Sequence, residues 1–154
     1  SFMAISTWTC VIFGIGFLIG LYTTCRRHHL NRFPLIGIVG FIIMFAWAAA
    51  YPSGNPLHSK SGPILLLLLL GPLLSAILWK GKKFKQLRIL SLLSFVIMLL
   101  ILLRAVPSET IRSNYTGLIQ RLVHFGWSLW FISFSLTLLY LSNKWQKKSD
   151  YKNY

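Results

Sequence analysis

The chain has 154 residues, 55% of them hydrophobic and only 12% charged, with a mean hydropathy of +0.64, which leaves too little polar surface for a soluble domain of this size. Sixteen Lys and Arg face two acids, Glu109 and Asp150, for a formal net charge of +14. In a soluble protein that excess would point to nucleic acid, but here the basic residues stand in short loops and a tail beside apolar runs, where anionic lipid head groups attract them. No nucleic-acid signature, zinc spacing or CxxC occurs.

Five apolar segments follow one another without a soluble linker, a long loop or an internal repeat. About 20 apolar residues cross the hydrocarbon core of a bilayer. The expected fold is therefore all-α: a polytopic transmembrane helical bundle of five spanning helices, one membrane domain over residues 1–154.

The first helix is expected over residues 7–24 and carries Gly14, Gly16 and Gly20. Gly16 and Gly20 form a small-xxx-small pair, a packing feature of membrane helices. Cys10 and Cys25 lie near its opposite ends, roughly 22 Å apart, beyond the reach of a disulfide within the helix. They read as small apolar fillers. A basic loop with Arg26, Arg27, His28, His29 and Arg32 follows, its histidines read as interfacial residues.

The second helix is expected over residues 35–51, and the loop after it runs Tyr51-Pro-Ser-Gly-Asn-Pro-Leu-His58-Ser-Lys60-Ser-Gly62. The third is expected over residues 63–79, with a bend at Gly71-Pro72, and the fourth over residues 87–103. Between them stand Lys80, Lys82, Lys83 and Lys85, with Arg88 just inside the fourth helix. The loop Arg104 to Tyr115 leads into the fifth, expected over residues 117–141, and residues 142–154 make a basic tail.

Counting Lys and Arg orients the chain. The two basic loops and the tail, with Lys144, Lys147, Lys148 and Lys152, fall on one side; the other side holds Lys60, Arg104 and Arg112. The N-terminus is thus expected outside and the C-terminus in the cytoplasm, with anionic head groups as partners of the cytoplasmic face.

Polar groups at membrane depth are costly and therefore informative. Arg121 lies one turn inside the fifth segment, with Gly117 and His124 on the same face by i, i+4 and i, i+3 spacing, and Gln120, His124 and Trp127 adjoin it. Arg121 reads either as a side chain snorkelling to the outer head groups or as part of an outward-facing pocket, paired with Glu109 or an anionic ligand. His58 reads as a solvated loop residue, a general base or a ligand to metal or haem. His58 and His124 without a carboxylate make a poor zinc site, since catalytic zinc commonly has three protein ligands.

Several chemistries are excluded. No acid lies inside a predicted helix, so a carboxylate proton relay has no candidate. With Asp150 in the tail, no Ser-His-Asp set is credible, and no P-loop, GxSxG or HExxH occurs. No cofactor is expected.

A Gly-rich helix, a second helix ending in Tyr51-Pro52, a short polar loop with His58, Gly62 opening the next helix, and Gly117-Leu-Ile-Gln120-Arg121 opening the last together resemble a bacterial integral membrane family, the domain-of-unknown-function 998 family. The resemblance covers the chain from its first helix to about Leu141. It implies a six-helix fold, and so one further helix ahead of this segment, in keeping with an outside N-terminus. Where that family often carries an acid after the proline, this chain has Ser53 and Gly54, which weakens a catalytic or metal role for the loop.

The functional expectation is a non-enzymatic bacterial inner-membrane protein binding a lipid or small amphipathic ligand at its outer face, with Arg121, His58, His124, Gln120, Tyr115 and Glu109 around the site. One alternative is a membrane enzyme acting on lipid or isoprenoid head groups, with His58 as base and Arg121 as phosphate clamp. Another is a small transporter or an accessory subunit, working as a homo-oligomer or with a partner membrane subunit.

Overall fold

A computed structural model describes the backbone of residues 2–52, 54–105 and 109–150, with side chains for all of these except 2–4, 59, 61, 62, 104, 105, 109–116, 120 and 145–150. Every element among the described residues is helical: α1 (Phe2–Arg27), α2 (Ile36–Ala50), α3 (Gly62–Leu78), α4 (Lys85–Ala105) and α5 (Glu109–Asp150), with short 3-10 turns ahead of α2, α3 and α4. The all-α architecture is the one the apolar runs predict.

Among the described residues, four stretches are long and apolar enough to cross a membrane: Ile5–Arg27, Phe33–Ala50, Lys82–Leu103 and Gly117–Lys144. The third expected span is the exception. With 17 residues, α3 reaches only about 25 Å against a hydrocarbon core of about 30 Å.

α5 departs furthest from expectation. It runs for 42 residues, so both the segment from Glu109, expected as loop, and much of the basic tail are helical. The reason lies in composition: neither Pro nor Gly interrupts residues 109–116 or 142–150, so nothing stops the helix from propagating past the apolar run.

The chain sorts into two compact units, Ser1–Leu74 and Ser75–Tyr154, the division falling inside α3. In the first, α1 and α2 form an antiparallel hairpin. α1 ends in a Schellman motif: the Leu30 amide donates to the Cys25 carbonyl at 2.8 Å and the His29 amide to that of Arg26 at 3.3 Å. His29 takes the left-handed conformation, φ 51°, where glycine is usual. Asn31 Oδ1 then accepts from the Phe33 amide at 3.0 Å, and Pro34 opens the turn that starts α2, a position where its missing N–H costs nothing.

Glycines decide how closely these helices meet. A Cβ on Gly14 would stand 2.8 Å from Ile42 Cγ1, and one on Gly40 would stand 2.7 Å from Leu67 Cβ. Around Gly16 and Gly20, in contrast, nothing among the described residues lies within 4 Å. The close contact of α1 is therefore made by Gly14, and the small-xxx-small pair of the sequence faces outward.

The second unit packs α5 against α4 and the last turn of α3. Gly126 lets α5 approach Met98 of α4, and the Ser94 hydroxyl donates to the Gly126 carbonyl across this seam. Trp130 Nε1 donates to Ser75 Oγ at 2.9 Å, and Arg88 Nε donates to the Ala76 carbonyl at 3.0 Å. Trp79 packs on Phe84 and Phe134, with ring centroids 5.0 and 4.8 Å apart. Ser75, Ser91 and Ser94 are fully buried. Lipid is as apolar as leucine, so such seams hold by close contact and interhelical hydrogen bonds rather than by expelling water.

Outward faces are apolar to a degree water would not tolerate. Ile12 and Phe13 of α1 are 69% and 74% exposed, and Leu100 of α4 and Leu136 of α5 are each 60% exposed. Large side chains exposed in this density on long helices define a lipid-facing surface.

Candidate functional site

Long apolar helices with apolar outer faces make this a multi-pass membrane protein. Within that class, function depends on where polar groups meet concave surface.

The residues singled out by sequence divide between the units. His58, in the first, is half-buried and turns inward on its own loop: its Nδ1–H donates to the Tyr51 carbonyl, Nδ1 to O being 2.6 Å. The rest of that loop is stitched in the same way. Trp47 Nε1 donates to the Leu57 carbonyl at 3.0 Å, the Leu57 amide to Asn55 Oδ1 at 2.9 Å, and the Trp47 and Tyr51 rings stack obliquely at 4.7 Å. His58 is thus a positioning residue for the α2–α3 loop, with one ring nitrogen committed.

In the second unit, Arg121 and His124 are exposed on the first turns of the α5 span. An exposed Arg four residues inside the span is placed to reach head groups. The side chains of Glu109, Tyr115 and Gln120 lie outside the described residues, although all three positions belong to α5. Among the described residues, no group of three His, Cys, Asp or Glu is placed to hold a metal ion.

An open groove lies elsewhere, at the basic corner between α1 and α2. This groove has a volume of about 890 Å³, within the range of roughly 300–1,000 Å³ that takes a small molecule. Its apolar walls are Leu18 and Ile19 of α1 and Leu35, Ile36 and Val39 on the α2 side. Its polar end is formed by Tyr22, His29, Asn31 and Arg32, with Leu30 and Phe33 at the rim.

The local sequence builds each part. Leu18 and Tyr22 are four residues apart on one face of α1, and Ile36 and Val39 three apart on one face of α2. The Schellman turn brings the chain back within a few residues, setting Arg32 against Tyr22. Arg32 Nη1 donates to the Tyr22 hydroxyl at 2.9 Å, and the guanidinium carbon sits 5.3 Å from the Tyr22 ring centroid, a cation–π distance. Phe33, 71% exposed, projects beside them.

The electrostatics favour an anion. The α1 carbonyls of Thr24, Cys25 and Arg26, which would repel one, accept the amides of His28, Leu30 and His29. The opposite wall begins a helix, whose N-terminal end carries partial positive charge. Among the described residues no acid lines the groove. The sequence marks this loop as a topology determinant in contact with anionic head groups, without singling out a site in it. The usable signal was Tyr22 and Arg32 flanking a tight turn, but their pairing depends on His29 being left-handed, which no spacing rule foretells.

No family model, curated protein or solved structure matches the chain.

Proposed function

We propose that this is a bacterial inner-membrane protein that binds an anionic amphiphile, a membrane lipid or a molecule like one, in the groove between α1 and α2. The observation that carries the reading is the Arg32–Tyr22 pair at the head of an apolar groove. A cation held by a neighbouring hydroxyl fits a charged head group, and Leu18, Ile19, Ile36 and Val39 fit the start of a hydrocarbon chain. The positive-inside rule places this groove at the cytoplasmic face, where anionic lipids concentrate. This moves the ligand site from Arg121 to the α1–α2 corner while keeping the ligand class that the sequence suggested. Arg121 serves in this reading as a head-group anchor.

The test is native mass spectrometry of the full chain in mild detergent, comparing wild type, Arg32→Met and Arg121→Ala. A co-purifying anionic lipid should be lost from Arg32→Met and kept by Arg121→Ala. Loss from Arg121→Ala alone would return the site to Arg121.

A further inference from the structure

Resting on that groove reading, we infer that the head group selected is a terminal phosphate, a phosphomonoester on a lipid tail, in preference to the phosphodiester of common anionic phospholipids. The two groups differ in the number of acceptors they offer. A phosphomonoester carries three terminal oxygens and a charge of roughly −1.5 to −2 at neutral pH, whereas a phosphodiester has two such oxygens and one charge.

The groove supplies donors in a matching arrangement. Because Tyr22 Oη accepts from Arg32 Nη1, its own O–H is directed away from the guanidinium. Arg32 has five N–H donors, and the bond to Tyr22 uses one of them. The rest of the fork and the Tyr22 O–H can therefore meet different oxygens of one tetrahedral phosphate. His29 also lines the groove. Among the described residues no carboxylate lines the groove, so the described lining sets no like charge against the second charge of a phosphomonoester, and an arginine fork is suited to phosphate oxygens.

Two sources share this chemistry: a diacyl phosphatidate of the bilayer and a polyisoprenyl monophosphate. The groove walls accept the first carbons of either tail.

The experiment uses the full chain in dodecyl maltoside, titrated by native mass spectrometry with dioleoyl phosphatidate, a polyisoprenyl monophosphate and dioleoyl phosphatidylglycerol. Wild type, Tyr22→Phe, Arg32→Lys and Arg32→Met are compared, each checked for an unchanged melting temperature. One or both monophosphates should be retained about fivefold better than phosphatidylglycerol, the scale of one added hydrogen bond. Tyr22→Phe and Arg32→Lys should reduce that preference to less than about twofold without abolishing anionic-lipid binding. The monophosphate retained better identifies the source.

Binding of all three lipids without preference in wild type, yet weaker in Arg32→Met, would overturn the phosphomonoester inference and leave the groove reading standing. Binding indifferent to Arg32→Met would overturn both. If a monophosphate preference survives intact in Tyr22→Phe and Arg32→Lys, the head group is read elsewhere and the assignment to this pair fails.

Discussion

Gly40 offers the most direct test of how the first unit is held together. A methyl group placed there would lie 2.7 Å from Leu67 Cβ and 3.1 Å from both the Leu67 carbonyl carbon and the Leu68 amide nitrogen. Two of these three atoms are backbone and the third is fixed to it, so no rotamer change relieves the contact. Ordinary carbon–carbon contact begins near 3.5 Å, so α2 and α3 must separate locally by roughly 0.8 Å. Overpacking of this kind costs about 1–3 kcal/mol, and alanine's better helix propensity returns up to about 1 kcal/mol. The expected net loss for Gly40→Ala is about 1–2 kcal/mol. Gly16→Ala is the matched control on α1, since open space surrounds that position among the described residues; it should be neutral or slightly stabilising. Unfolding of both variants in mixed dodecyl maltoside and dodecyl sulfate micelles, followed by circular dichroism, reads the difference. If Gly40→Ala unfolds at the same dodecyl sulfate fraction as Gly16→Ala, the close approach of α2 and α3 is wrong.

Two further outcomes follow from the loops. His58→Ala removes the bond to the Tyr51 carbonyl, worth about 1 kcal/mol, so trypsin should cut after the exposed Lys60 about fivefold faster. His58→Asn, which can present an amide donor near the same place, should restore most of the protection. An unchanged cleavage rate in His58→Ala would show that the histidine does not hold this loop. For orientation, a membrane-impermeant maleimide should label Lys60→Cys in intact cells and Lys83→Cys only after permeabilisation. The buried Cys25 and half-buried Cys10 keep wild type as the unlabelled reference. Labelling in the reverse order would invert the topology and move the Arg32 groove to the outer face.

The membrane class and the helical architecture are legible from sequence because bilayer thickness sets span length and lipid demands internally satisfied backbones. The runs around Val11, Ile38, Leu68, Met98 and Phe134 could scarcely be anything else. Other features follow from context that composition does not carry. Helix ends moved where local breakers rather than hydropathy decide them, as at Glu109, where α5 begins well before its apolar run. Which glycine makes a contact depended on the partner helix: Gly14 meets Ile42 while Gly16 and Gly20 do not pack among the described residues.

The candidate site shows the same division. Charge alone marks Arg32 as a loop cation, and the residue stands out no more than Arg26 or Arg27 beside it. Its pairing with Tyr22 requires a left-handed His29 and two helix faces brought side by side, and these are products of the hairpin geometry. Likewise the sequence leaves His58 open as a solvated loop residue, a general base or a ligand to metal or haem, and only the path of the loop shows that the Tyr51 carbonyl occupies one ring nitrogen. By itself the sequence determined that the chain enters a membrane as apolar helices, since that outcome depends on the sum of transfer energies along each segment. The tertiary structure decided which polar groups share a groove, since that depends on side chains distant in sequence meeting within a few ångströms.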